Sequence, residues 1–209
     1  MTNQNHRVPV LRVLPVLPVF ARLALFAPLA FLASCATLDT QPVFSPPGTT
    51  TVIIMVRHAE REPGLDPPLN AEGLVRAQAL ADELEDEGVT AAFYPSFIRN
   101  RQTADPLAER VELIRREYTS LEATDTKALA NKFVDEVVRD HAGGVVLWIG
   151  NTGPEIEGVQ SGNLQEIYVR LGGAAVPPIR YQDIYRITLH EDTPPTIDTA
   201  VYGGPSSLD

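Results

Sequence analysis

The chain has 209 residues, 44% of them hydrophobic, which suits one domain with a sizeable core and requires no second. Its 17 cations against 27 acids leave a formal net charge of −10, so nucleic acid is not an expected partner, and any anion site must be a local basic pocket set against the overall field. The lone cysteine excludes a disulfide framework, and four histidines at positions 6, 58, 141 and 190 form no close pair, so no metal-ligand set is expected.

Residues 1–34 carry Arg7, Arg12 and Arg22, no acid, and an apolar run from Leu23 to Leu32. That is the layout of a secretory signal, and the run is too short to span a bilayer. It closes in Leu32-Ala33-Ser34-Cys35, which resembles the lipobox of bacterial lipoproteins and implies that Cys35 is lipidated and becomes the first mature residue. A lone cysteine is otherwise most often apolar filler, but this placement favours an anchor. The expected divisions are a signal peptide over 1–34, lipidated Cys35 with an extended tether over 35–50, and a domain over 51–209. Without the signal, 14 cations face 27 acids, a net charge of −13. Ala36 is not the Asp that typically retains lipoproteins at the inner membrane of diderm bacteria, so outer-membrane anchoring in the cell envelope is expected.

The tether reading rests on Thr37 to Gly48, which has no hydrophobic period and three prolines. The first strong pattern follows at once. Val52-Ile53-Ile54-Met55-Val56 is an unbroken, β-branched apolar run, the mark of a strand buried on both faces. It ends abruptly in Arg57-His58-Ala59-Glu60, and polar groups off the carboxyl end of a central strand lie where open α/β sheets hold ligands. Asn70 is expected to cap a helix carrying Leu74, Ala77, Leu80, Ala81 and Leu84 at helical spacing, with Gly88 beyond its end. A short strand over Ala91 to Tyr94 precedes a helix with Arg99 in its first turn, where free amides favour an anion. Arg101, two residues on, faces elsewhere and reads as surface.

Val111 to Ile114 reads as a third strand. Asp125 reads as the cap of a long helix with Leu129, Ala130, Phe133, Val134, Val137 and Val138 on one face, stopped by Gly143-Gly144. Val145-Val146-Leu147-Trp148-Ile149 is a second fully apolar run closed by Gly150, again a central strand. Alternation over Tyr185 to His190 and over Ile197 to Val201 predicts two half-exposed strands, a closing hairpin or edge. Strands alternating with helices predict a three-layer α/β/α sandwich around a mostly parallel sheet.

Arg57-His58-Ala59, then Asp66-Pro67-Pro68-Leu69-Asn70 with Gly73 and Arg76-Ala77, and finally Arg99 followed by Gln102-Thr103-Ala104, together resemble the histidine phosphatase superfamily, the phosphoglycerate-mutase-like fold. The likeness runs from about residue 50 to the last strand. It implies His58 as the nucleophile that accepts a phosphoryl group, Arg57 and Arg99 as the guanidinium forks gripping that group, and Glu60 as a polar position that touches the substrate or orients the site. As a residue of the sequence alone, Glu60 is equally a solvated loop acid. Family members with a general acid place a carboxylate after the third strand, where Glu117, Glu122 and Asp125 stand; Glu122 is the choice, since Asp125 reads as a cap and Glu117 as a strand-end polar side chain. No cofactor is implied.

One departure matters. Relatives follow the second central strand with Gly-His-Ser-Asn-Thr, the His completing the phosphoryl cradle, whereas this chain has Gly150-Asn151-Thr152-Gly153-Pro154-Glu155-Ile156. Aligned from the strand, Asn151 replaces that His and becomes a substrate-binding residue; aligned from the later helix, Gln160 does. Asn151 is preferred because the strand sets its position. The expectations are therefore an exported, membrane-tethered phosphohydrolase with reduced activity, or a phospho-ligand-binding lipoprotein of the same fold that turns its ligand over poorly. Serine-hydrolase and P-loop chemistry have no motif here.

Overall fold

The computed structural model describes residues 41–156, 159–160, 162–174 and 180–208. Cys35 and the signal segment lie outside the described residues. In chain order the elements are β1 (Thr51–Arg57), α1 (Ala71–Leu84), β2 (Val89–Pro95), α2 (Ile98–Arg110), β3 (Ile114–Tyr118), a 3-10 turn (Glu122–Thr124), α3 (Thr126–Asp140), β4 (Val145–Gly150), the short pair β5 (Glu155–Ile156) and β6 (Val159–Gln160), α4 (Asn163–Arg170), β7 (Asp183–Leu189) and β8 (Thr196–Val201).

The two apolar runs become neighbours at the sheet centre, β1 beside β4 in parallel with Ile54 opposite Leu147 and Val56 opposite Ile149. The described strands form one six-stranded sheet in the order β3-β2-β4-β1-β7-β8. β2, β3 and β4 join β1 in parallel, while β7 runs antiparallel to β1 and β8 antiparallel to β7. Alternate side chains of each strand leave opposite faces, so the central strands supply two cores. Ile54, Val56, Leu147 and Ile149 pack with Leu80, Ala81 and Leu84 of α1 and Ala104 and Leu107 of α2. Ile53, Met55, Val146 and Trp148 pack with Leu129, Phe133 and Val137 of α3 and Leu164 and Ile167 of α4. The result is the predicted three-layer sandwich, with α1 and α2 on one face and α3 and α4 on the other.

This layering places the site. β1 leads toward α1 on one face and its neighbour β4 leads toward α4 on the other, so the carboxyl ends of these two strands form a topological switch point, where open α/β sheets bind ligands.

Three sequence expectations are corrected. The third strand begins at Ile114 rather than Val111, because α2 continues to Arg110 and the Val111 N–H still donates to the Leu107 carbonyl. Val111 and Leu113 pack against the α1/α2 core as a connection, and β3 itself is the polar run Ile114-Arg115-Arg116-Glu117-Tyr118, as suits a sheet edge. Leu74 is not core: the inward position of the first turn of α1 is taken by Gly73, and Leu74 is 52% exposed. The tether does not extend to residue 50. Val43 is buried in the α3/α4 core, the Ser45 N–H donates to the His190 carbonyl, and the Ser45 hydroxyl lies 2.7 Å from those of both Thr49 and Thr51. From Val43 onward the segment is part of the domain.

Candidate active site

His58 follows the last residue of β1, and its N–H donates to the Gly150 carbonyl at 3.0 Å, tying the two central strand ends together. The imidazole is buried, only 4% exposed. Its Nδ1 is 2.8 Å from the Ala59 carbonyl, and because a carbonyl only accepts, that nitrogen carries the proton. Nε2 therefore keeps its lone pair. Burial pulls the imidazole pKa down from 6.5 to about 3, against the raising effect of the Ala59 hydrogen bond; Arg99, Arg57 and Arg61 push it the same way as burial. The ring is thus neutral at physiological pH, the form in which it is a nucleophile.

Arg57 and Arg99 are both backed by aromatic rings. The Arg57 guanidinium carbon lies 3.8 Å from the Tyr181 ring centroid, and its Nη2 donates to the Tyr181 hydroxyl at 3.0 Å. Arg99 lies 4.4 Å over Phe97. Stacking fixes the plane of each fork, which favours bidentate contact with an anion. Arg99 sits in the first turn of α2, as expected, but Asp66 already serves that turn: its Oδ1 accepts from the Ile98 N–H at 3.0 Å and from Arg99 Nη1 at 3.4 Å. Burial, then the neighbouring Arg61, lowers the Arg99 pKa. The field of three arginines converges on His58 in a molecule that is acidic as a whole.

The motif residues between these groups have local reasons. Thr103 accepts from the Ala59 N–H at 3.0 Å and donates to the Arg99 carbonyl at 2.8 Å, joining the His58 loop to α2. Gln102 accepts from the Leu69 N–H at 2.8 Å. Asn70 caps α1 through the Gly73 N–H, and Asp125 caps α3 through the Ala128 N–H, both as read from the sequence. Arg101 is exposed.

Asn151 lies just past β4 and follows Gly150, whose carbonyl accepts from the His58 N–H. Its carboxamide belongs to an amide cluster: Asn100 Nδ2 donates to Asn151 Oδ1 at 3.2 Å, Asn151 Nδ2 donates to Asn100 Oδ1 at 3.4 Å, and Asn163 Nδ2 donates to Asn151 Oδ1 at 3.4 Å. The Asn151 N–H donates to Asn163 Oδ1 at 2.9 Å. The end of β4 is thereby knitted to α2 and α4.

Two candidates are corrected. Glu60 is not placed to contact a ligand, and of its two implied roles only the orienting one fits: it is fully buried, and both its oxygens accept from Arg76 Nε at 2.7 and 2.8 Å. Arg76 also donates to the Tyr202 and Gly204 carbonyls, so the pair is an internal brace between the His58 loop, α1 and the carboxyl-terminal segment. A buried charge is retained only when paired in this way. Glu122 is unsuited to be a general acid. Its carboxylate accepts from Lys132, from the Thr119 N–H at 2.7 Å and from the Thr119 hydroxyl at 2.9 Å, and Lys132 first, then Thr119, lower its pKa to about 2. These partners favour the ionised carboxylate, the wrong form for donating a proton. Glu117 is instead 3.4 Å from the Tyr94 hydroxyl.

Sequence reasoning gave no role to Tyr181, Asn100, Arg61 or Asp66. Asp66 was visible as part of a motif, and Asn100 by its place beside Arg99. Tyr181 has no local signal, since only the pairing of β7 with β1 brings it to the site. Among the described residues no cluster of potential ligands could hold a metal ion, and no helix is long and apolar enough to cross a membrane.

A sequence model of the histidine phosphatase superfamily (branch 1) matches residues 53–171. No curated protein matches the chain in sequence. Among solved structures, the chain is similar to a mycobacterial glucosyl-3-phosphoglycerate phosphatase in complex with inorganic phosphate, at 15% identity over 74% of this chain and 97% of that one, with a TM-score of 0.53. It is similar to a phosphoserine phosphatase from Entamoeba histolytica in complex with 3-phosphoglyceric acid, at 12% identity over 74% and 98%, with a TM-score of 0.52. It is similar also to a protein described as mycobacterial hydrolase 2, at 14% identity over 76% and 94%, with a TM-score of 0.54. At these identities the likeness is one of fold.

Proposed function

Because the chain belongs to the histidine phosphatase superfamily, we propose that it is a phosphohydrolase that works through a phosphohistidine at His58. The observation that carries this reading is the state of the imidazole: neutral, with Nδ1 committed to the Ala59 carbonyl and Nε2 left to attack. In the first step the Nε2 lone pair forms a bond to phosphorus as the bond to the leaving oxygen breaks, and that oxygen departs with the bonding pair and takes its proton from solvent water. In the second, water attacks phosphorus, the N–P bond breaks and inorganic phosphate leaves. Arg57 and Arg99 would hold the equatorial oxygens in both steps. The substrate is a phosphorylated compound of unspecified class. Hydrolysis of an aryl phosphate by the full chain, abolished in His58→Ala, is the test; turnover that survives His58→Ala places the chemistry elsewhere.

A second reading, a phospho-ligand-binding protein of the same fold, is favoured by Asn151. Where relatives have the second histidine this chain has a carboxamide bonded to Asn100 and Asn163. Losing one charge-stabilising donor typically costs a factor of roughly 10²–10³ in turnover. Asn151→His is expected to raise turnover more than it tightens vanadate binding; tight binding with no turnover in either form would favour the binding protein. In both readings the protein is exported and lipid-anchored through Cys35, with the outer membrane as its site. Labelled fatty acid should enter the full chain and not Cys35→Ser; a cytosolic, unlabelled full-length product would refute the anchor.

A further inference from the structure

Tyr181 belongs to no motif in the sequence, yet it touches both functional groups at the end of β1. It precedes β7 by two residues, and β7 pairs with β1 so that Ile184 lies opposite Val56, which sets the preceding turn beside Arg57 and His58. The side of His58 away from β4 and Asn151 is therefore the Tyr181 side. Tyr181 is 5% exposed. Its hydroxyl accepts from Arg57 Nη2 at 3.0 Å, its ring lies 3.8 Å under the Arg57 guanidinium, and it meets the His58 ring edge-on at 5.9 Å between centroids and 61° between planes.

We propose that Tyr181 is a positioning residue of this site, its ring sealing His58 from water and its hydroxyl pinning the Arg57 fork in the plane that receives the anion. The proposal rests on the reading of His58 as phosphoryl acceptor and assigns a residue which that reading does not require. The charged groups facing His58 are Arg57 on β1, Arg61 on the following loop and Arg99 on α2, with Asp66 bound to Arg99. All three cations disfavour a protonated imidazole, but burial is the larger cause, and the Tyr181 ring, edge-on at 5.9 Å, is among the groups packed against the imidazole. The two parts of the side chain therefore act on different observables. Phenylalanine keeps the seal and the stacking but removes the acceptor for Arg57. Alanine removes everything.

The test is an NMR titration of the histidine rings in the full chain, with the His58 resonance identified by its loss in His58→Ala, alongside inorganic phosphate binding. In Tyr181→Ala the His58 midpoint should rise by about one pH unit or more as water reaches the ring. In Tyr181→Phe the midpoint should stay within a few tenths of wild type, while phosphate binds about fivefold more weakly, the effect of one lost hydrogen bond on a preorganised fork. If Tyr181→Ala does not fold, Tyr181→Leu, which also opens the ring contact, takes its place and should move the midpoint in the same direction. An unmoved midpoint in the folded Ala or Leu protein overturns the seal, and unchanged or tighter phosphate binding in Tyr181→Phe overturns the pin. Absence of aryl phosphate turnover in wild type would defeat the phosphatase reading, but it would leave the titration free to decide the role of Tyr181.

Discussion

At the scale of single residues, the imidazole of His58 connects stability to chemistry. The folded site refuses a proton until about pH 3, whereas the unfolded chain takes one up below about 6.5. Between these values the unfolded state binds more protons, so stability rises with pH through this window and is fully present above it. Falling pH removes about 1.4 kcal/mol for each unit below 6.5. Replacing His58 with Gln should delete this dependence. Urea denaturation at pH 7 and pH 5 is expected to show wild type losing about 2 kcal/mol more than His58→Gln over that interval. Equal losses would mean that the ring is hydrated and protonates normally. The same burial that costs acid stability is what keeps Nε2 available, so the group that would do the chemistry is also a weak point in acid.

At the scale of elements, α1 is docked unusually close to the loop that carries His58. A Cβ built on Gly73 would stand 1.9 Å from the Glu60 carbonyl oxygen, a backbone atom that cannot step aside. The glycine of the motif is therefore required by contact and not by a turn. Glycine within a helix normally costs about 1 kcal/mol relative to alanine, so propensity alone would make Gly73→Ala stabilising. The contact reverses the sign. Gly73→Ala is expected to destabilise by about 1–3 kcal/mol, as overpacking does, and to lower turnover because Ala59 and Glu60 must shift with α1. Thermal denaturation and aryl phosphate turnover check both effects, and a raised melting temperature would refute the contact. The Arg76 brace acts between the same elements, holding α1, the Glu60 loop and the carboxyl-terminal segment through one guanidinium.

At the scale of the whole molecule, the domain recruits part of what reads as its tether. Val43 inserts into the α3/α4 core, Ser45 bonds to the end of β7 and the start of β1, and Arg170 of α4 donates to the Gln41 carbonyl. Burying one valine side chain contributes about 1.5–3 kcal/mol, before the hydrogen bonds are counted. A chain beginning at Thr51 should therefore be less stable than one beginning at Gln41 by about 2 kcal/mol or more, measured by urea denaturation. Equal stability would return these residues to the tether.

Most of the elements and the place of the site are legible along the chain. Two short apolar runs rich in β-branched residues and closed by polar or glycine residues read as central strands, helical spacing shows most of the inward positions of each helix, and a polar switch at Arg57-His58 marks the carboxyl edge. Those are local patterns, and burial imposes them residue by residue. β3 is hidden in the sequence because an edge strand has an exposed row and no apolar signature, while the apolar residues before it serve a connection. Which partners meet depends on contacts between residues far apart in the chain. Glu60 looked like a site acid until Arg76, 16 residues on, closed over it, and Glu122 looked like a proton donor until Lys132 and Thr119 fixed its charge. Tyr181 reaches Arg57 from 124 residues away through the pairing of β7 with β1. The neutrality of His58 belongs to the same class. Its pKa is set by how much water and how many cations the fold leaves around the ring, and neither quantity is written in the residues next to it.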